Sequence, residues 1–552
     1  MRKRLWLLAG AVILATAFTV ATVSGAAATP SSSSAAAAKT TIVYGAEQDI
    51  NGFNTNLECC NQFWAVVIGN SAVLRGAFII TDKLQYKPDV VSSTKLTPKP
   101  FSVTYNIRKN ARWSDGKPVT GQDFIWSAQK IVDPNSQVAG RDGYDQMDFG
   151  KSKVFRGGKS VKIVFKQPYA DWRDLFLPGS LLPKHVLQGE DYNKIWANCV
   201  CNPKNGKPIG NGPFLLQDYR KGQDATLVRN PRWHGPKAKL QKIIFRFIQD
   251  TNTEIQAMRG GEVDAIFPSP QTALTALQRQ SGIRYQAGPG LYLEHIDLAG
   301  KGKHNPLMDK AWFRQVIIQA INRPGLVKTF FGDIAPNLRV LNSLVFYPPD
   351  AAYKPHFSRY GFSPAKAKQL LSSHGCRAGG DGIMVCGGVK ADLLHTTTGT
   401  NRRRVLAAQI YKENLKDVGI DLTIRLVPPN VLFGSGPEST SAGNWDMAEY
   451  AWVTSPDPSF TVSWLGCKKP SNNMTYCNRT VTRLLDRSDV TLNSRARANL
   501  FNRANAQMAK DVPSIPLYAV PVIQVSKNAV KGLGAPNPTS LGPTWNAYAW
   551  KF

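Results

Sequence analysis

Only one stretch of this 552-residue chain is apolar for long enough to cross a bilayer, and it lies at the extreme N-terminus, from Leu5 to about Val23. Everything after it must fold in water, which excludes a polytopic membrane protein. Arg2, Lys3 and Arg4 precede the run, and Ser24-Gly25-Ala26-Ala27-Ala28 and a Ser/Ala tract reaching Ala38 follow it. A charged start, an apolar middle and a small-residue end form the pattern of a secretory signal. Cleavage is the expected outcome, with an uncleaved membrane anchor as the alternative. No Cys precedes Cys59, so no lipid-bearing cysteine is available at the cleavage site. Residues 1–38 are assigned to signal peptide and Ser/Ala-rich linker. The protein is expected to be exported, to the periplasmic or extracellular side of the cytoplasmic membrane.

Cysteine usage agrees with export. The eight cysteines are Cys59, Cys60, Cys199, Cys201, Cys376, Cys386, Cys467 and Cys477. Cys376/Cys386 and Cys467/Cys477 each enclose a short polar loop, and closing such a loop is worth on the order of 2–3 kcal/mol. Cys59, Cys60, Cys199 and Cys201 are then expected to cross-link two segments distant in sequence. Adjacent and Cys-x-Cys spacings lack the Cys-x-x-Cys rhythm of structural zinc sites, so no metal is expected.

Lys and Arg number 68 against 38 Asp and Glu, a formal charge of +30. Losing the leader's three cations leaves about +27. These charges are spread along the chain rather than gathered with aromatics, so nucleic acid is not an expected partner. The better reading is a solvated basic surface, held near anionic envelope polymers or lipid headgroups.

The mature chain reads as α/β. Residues 40–45, 102–107, 161–165, 242–248 and 420–427 have the composition of strands. Thr120 to Asp123 opens a helix that Asp133-Pro134 stops, and 402–418 is another. Residues 311–322 form a third helix, with Arg323-Pro324-Gly325 as its stop. The Gly/Pro-rich stretches 202–213 and 428–443 read as loops.

In this order the segments resemble the extracellular solute-binding proteins of family 5, the peptide, nickel and oligosaccharide binders of ABC importers. The resemblance rests on Trp113-Ser114-Asp115-Gly116 to Asp123, Gly210-Asn211-Gly212-Pro213-Phe214, and Arg229-Asn230-Pro231-Arg232-Trp233. Further matches are Thr253 to Ala265, Phe313 to Arg323, Ala365 to Leu371, and Pro513 to Tyr518. Most of these residues are scaffold: Asp-Gly makes a tight turn, and Trp113 and Trp233 are packing anchors.

The resemblance implies a bilobed fold of the periplasmic-binding-protein type (type II, large peptide-binder subclass). It implies a first lobe over 39–292 with an inserted subdomain near 87–205, a second over 293–514, and a C-terminal segment, 515–552, returning to the first lobe. Hinge crossings are expected near Tyr292–Ile296 and Pro513–Leu517. The implied partners are a peptide or peptide-like ligand and the permease and ATPase subunits of an importer, with the binder itself a monomer. No cofactor is implied.

The family's ligand loop falls on Ala451-Trp452-Val453-Thr454-Ser455-Pro456-Asp457-Pro458, and here the chain departs from the pattern. Where peptide binders carry an Asp for the ligand's α-ammonium group, this chain has Thr454, or Ser455 with a one-residue gap. A free amino terminus thereby loses a charge-assisted partner. Either the ligand is not a free-amino peptide, or Asp457 or Glu47 holds it instead. Arg402, Arg403 and Arg404 are candidates for a ligand carboxylate, against a solvated basic helix end. Trp452 and Phe53 are candidate aromatic walls.

An exported enzyme is the competing class. Gly-x-Ser-x-Gly and His-Glu-x-x-His are both absent from the sequence, and Gly143 to Ser152 fails as a phosphate loop because Asp145 stands where Gly is required. No catalytic residue is assigned. A metal-chelate or oligosaccharide binder is the alternative within the family.

Overall fold

The computed structural model describes residues 39–348 and 350–552, so the leader assigned to 1–38 lies outside the described residues. Among the described residues no helix is long and apolar enough to cross a membrane.

A ten-stranded mixed sheet is the backbone of the molecule. One end is built by Phe214–Arg220, Asp224–Arg229, Lys242–Phe247, Thr41–Ala46 and the short Ala265–Ile266. The other end is built by Met447–Val453, Asp392–Thr398 and Asp421–Val427. Between them run two long antiparallel strands, Ile283–Leu298 and Ser514–Lys527. The second of these is buried from Ser514 to Ser526, as a strand with packed elements on both faces must be.

Pairing of the two long strands breaks twice, each time at a proline. Gly288 pairs with Val522 and Tyr292 with Val520, so Pro289, Gly290 and Leu291 bulge opposite Pro521. The second shift lies between Glu294 and His295, where His295 faces Pro516. Proline has no N–H to give a ladder, and an extra residue bends the strand. Gly290 is required at the bulge, because a Cβ there would stand 2.2 Å from the Val520 carbonyl oxygen.

Two hydrophobic cores lie on either side of this crossing, which makes the molecule bilobed. The first core draws on Ile42, Tyr44, Trp64, Trp113, Phe124, Phe245 and Trp550. The second draws on Phe313, Ile317, Tyr411, Trp445, Trp464, Phe501 and Tyr518. A separate four-stranded antiparallel sheet, in the order Val91–Pro98, Phe101–Ile107, Ser160–Phe165, Met147–Phe155, carries the helix Gly121–Val132 on one face. That helix starts as the sequence indicates: Thr120 and Asp123 form a reciprocal capping box, with the Thr120 N–H donating to Asp123 at 2.8 Å.

Two expectations need correction. Arg323-Pro324-Gly325 ends the helix Ala311–Ala320 but also opens the helix Arg323–Phe331, capped by the Asn322 side chain on the Gly325 N–H at 2.9 Å. Proline is tolerated in a first turn, where its missing N–H has no intrahelical partner to lose. The long-range cross-link expected of Cys59, Cys60, Cys199 and Cys201 is absent. Cys59 joins Cys60 and Cys199 joins Cys201, while Cys376–Cys386 and Cys467–Cys477 pair as expected.

Candidate ligand cleft

A cavity of about 260 Å³ opens between segments on the two sides of the strand crossing. Thr55, Asn56, Asn70, Leu177 and Ser180 line it from the first-core side, and Thr539, Ser540 and Leu541 from the C-terminal segment. Val453, Thr454 and Ser455 close it from the other lobe. The lining is neutral throughout, a mixture of amide and hydroxyl groups with aliphatic walls.

The loop that closes the cavity is held by the crossing strand itself. The Thr454 N–H donates to the Leu291 carbonyl at 2.9 Å and its hydroxyl donates to the same oxygen at 3.0 Å. The Thr454 hydroxyl oxygen also lies 2.9 Å from the Tyr347 hydroxyl. Leu291 belongs to the bulge, so the irregular backbone there finds its donors in the ligand loop. Ser455 caps the next turn, accepting from the Asp457 N–H at 3.2 Å and donating to the Asp457 carbonyl at 2.9 Å.

Beside the cavity the two lobes bring carboxylates face to face. Asp171 and Asp174 follow the last strand of the four-stranded sheet, and Asp457 and Asp489 come from the second lobe. The Ala170 N–H donates to the Asp489 carbonyl oxygen at 2.7 Å, a backbone bond across the cleft. Asp174 accepts a short hydrogen bond from the Tyr86 hydroxyl. Arg497 donates to both oxygens of Asp457, one at 2.8 Å, and its Nε donates to the Ser488 carbonyl at 3.0 Å. The one guanidinium is taken by Asp457, and the protonated forms of Asp171, Asp174 and Asp489 are favoured. Burial, with the Asp457 charge behind it, pushes Asp174 up to about 7. Burial pushes Asp489 up to about 6, and burial with Asp174 raises Asp171 well above the usual carboxylate range.

The cavity thus lies beside the strand crossing, between segments on its two sides. The sequence matches the bacterial extracellular solute-binding proteins, family 5 (middle region), over residues 85–473. The chain belongs to this family. Among curated relatives, the oligopeptide-binding protein OppA of Mycobacterium tuberculosis is 26% identical over 489 residues, covering 86% of this chain and 79% of the relative. The oligopeptide-binding protein AppA of Bacillus subtilis is 23% identical over 447 residues, with 79% of each chain covered. Among solved structures, the periplasmic EDTA-binding protein EppA superposes with a TM-score of 0.83 at 23% identity, over 93% of this chain and 97% of that one. NikZ from Campylobacter jejuni in complex with Ni(L-His) gives 0.77 at 20% identity, over 93% of this chain and 100% of that one. These likenesses fix the family 5 fold.

Within that fold the residues singled out in the sequence divide sharply. Thr454 and Ser455 line the cavity. Asp457 stands next to it but is committed to Arg497, which removes it as a free acid for a ligand cation. Trp452 points the other way, into an aromatic group with Tyr450, Phe460 and Trp464 at ring separations of 5.5, 6.0 and 6.3 Å. On a strand, neighbours face opposite sides, so a cleft-lining Val453 turns Trp452 away.

The remaining candidates lie outside the cavity lining. Arg404 donates to Glu294 at 2.6 Å and Arg403 to the same carboxylate at 3.0 Å, inside the second lobe. Burial alone would raise Glu294, but the Arg404 and Arg403 charges outweigh it and hold the carboxyl below its ordinary value. Arg402, at the exposed start of the helix, lies outside the cavity lining. Glu47 accepts from the Thr251 hydroxyl at 2.6 Å and from the Ser269 N–H and hydroxyl, and burial raises its pKa. Phe53 is wholly buried, edge-on to Tyr219 at 5.2 Å. Asn56, Asn70, Ser180, Thr539 and Ser540 escaped the sequence reading. For Asn56, Thr539 and Ser540 the one signal was polar clustering, in Asn51-Gly52-Phe53-Asn54-Thr55-Asn56 and Asn537-Pro538-Thr539-Ser540. Among the described residues no group of three or more His, Cys, Asp or Glu side chains is placed to hold a metal ion.

Proposed function

We propose that this protein is the ligand-capturing component of an ABC importer, holding a small peptide-like solute between its lobes and presenting it to a membrane permease and its ATPases. The observation that carries this reading is the cavity lined by both lobes beside the crossing strands. A ligand touching both walls is bound more tightly by the closed form than by the open one, and so shifts the population towards closure. The lobes are taken as 39–292 and 293–514, with 515–552 returning to the first, and the bulge at Pro289–Leu291 opposite Pro521 as the bending point. The protein works outside the cytoplasmic membrane, as a monomer and without turning its ligand over.

The neutral lining favours a ligand read by amide and hydroxyl groups. Thr454 offers no charge to an α-ammonium group, Asp457 and Glu47 are already partnered, and the cavity lining presents no acid to a cationic group on the ligand. OppA and AppA are named as oligopeptide-binding proteins, and EppA as an EDTA-binding one. The missing loop acid supports a second reading, a ligand without a free ammonium group, such as a metal chelate or an oligosaccharide.

Native mass spectrometry of the purified protein, followed by calorimetry with the released molecule, tests the proposal. An intact solute whose affinity drops about tenfold in Asn56→Ala or Asn70→Ala supports it, that being the worth of one good hydrogen bond. Release of a chemically altered solute, or unchanged affinity in both variants, would sink it.

A further inference from the structure

The outer face of the four-stranded sheet carries a row of cations with no counter-charge. Lys95 pairs in register with Thr104, Thr104 with Lys162, and Lys162 with Lys153, so one line across all four strands reads Lys, Thr, Lys, Lys. Strands lie about 4.8 Å apart, so the row spans about 15 Å. Lys95 and Lys153 are exposed and Lys162 is half-buried. Among the described residues none of the three forms an ion pair, and Asp148 at the sheet's edge is taken by Lys151 at 2.9 Å.

Like charges directly opposite one another on neighbouring strands destabilise a sheet, so Lys153 facing Lys162 works against folding. The next line across the same face shows the alternative. There Asn106 donates to Ser93 at 3.0 Å and Ser160 donates to Asn106 at 3.0 Å, a neutral row that satisfies itself. That row ends in Phe155, an exposed aromatic ring with the Arg156 guanidinium 5.8 Å from its centroid.

The geometry points to an anionic phospholipid surface as the partner of this face. The row extends across four neighbouring strands, which suits a surface of many headgroups. A single small anion would need a concave site with convergent donors. An exposed aromatic beside several cations is the chemistry of the membrane interface, where the ring sits at headgroup level and each Lys or Arg adds to the attraction. This inference is independent of the ligand in the cleft.

The test uses residues 39–552, which form one compact unit, and co-sedimentation with vesicles of phosphatidylcholine containing 30% phosphatidylglycerol. Binding is expected at low salt, is lost with rising salt, and is absent on phosphatidylcholine alone. The triple variant K95Q/K153Q/K162Q should bind about a hundredfold more weakly, three cations each contributing about a factor of five. It should melt no lower than the parent. A control, R479Q/R483Q/R487Q, removes three exposed cations from the helix Arg479–Asp489 and should bind much as the parent does. Equal losses in both variants, no binding to anionic vesicles, or binding to soluble polyphosphate without binding to vesicles would each overturn the inference.

Discussion

Arg497 grips Asp457 through both terminal guanidinium nitrogens, and this pair stands where the two lobes meet. Asp171, Asp174 and Asp489 surround it, so one cation serves four carboxylates. Taking out one member of a buried pair leaves the other charge uncompensated. Arg497→Ala should therefore destabilise the protein by roughly 3–5 kcal/mol, measured by urea unfolding. A cost below about 1 kcal/mol would mean that the pair behaves as a surface bridge.

The raised carboxylates set a pH dependence whose sign is unusual for acids. Asp174 and Asp489, pushed up to about 7 and about 6, hold protons in the folded protein that they release in the unfolded chain above its ordinary value of about 3.9. Between roughly pH 4 and 7 the folded form binds more protons, so stability falls as pH rises through that window and levels off above it. The double variant Asp174→Asn/Asp489→Asn should shrink the difference in melting temperature between pH 5 and pH 8. An unchanged difference would place the dependence elsewhere.

Glu294 makes the opposite case. Its carboxyl, held low by Arg404 and Arg403, contributes stability that is present above its unfolded pKa and lost as pH falls through the folded one. Glu294→Gln should cost on the order of 3 kcal/mol at pH 7. It should leave ligand affinity unchanged, since Glu294 does not line the cleft. Calorimetry and unfolding on one sample separate the two effects.

At the strand crossing two glycines make a controlled comparison. A Cβ on Gly290 would meet the Val520 carbonyl oxygen at 2.2 Å, whereas one on Gly288 meets nothing within 4 Å. Gly290→Ala should lose roughly 1–3 kcal/mol as overpacking does, and Gly288→Ala should stay within about 0.5 kcal/mol. Thermal melts of the two single variants decide it.

Much of the scaffold was legible because local chemistry and tertiary structure agree there. The Thr120–Asp123 cap, the strand near 242–248 and the helix from Ala311 each carry their own start and stop. The helix after Asn322 was missed because Pro324 reads equally as a stop and as a first-turn residue. The strand Ser514–Lys527 holds two prolines and is a strand only because Ile283–Leu298 pairs with it. Of the expected ligand residues, Thr454 and Ser455, marked by a loop motif, lie in the lining of the candidate cavity. Asn56, Ser180 and Thr539 come from loops with no period, gathered by the fold from three distant parts of the chain. Arg403 and Arg404 pair with the buried Glu294, a setting the sequence does not distinguish from a ligand-facing basic helix start.

The wall of the cleft formed by Leu177, Pro178 and Ser180 follows the four-stranded sheet, while the crossing strands belong to the ten-stranded one. On the proposed reading this part of the ligand wall and the bending point lie in different parts of the chain. A descendant that rewrote residues 166–180 would change its diet while keeping its hinge, and a single scaffold can in this way serve many nutrients.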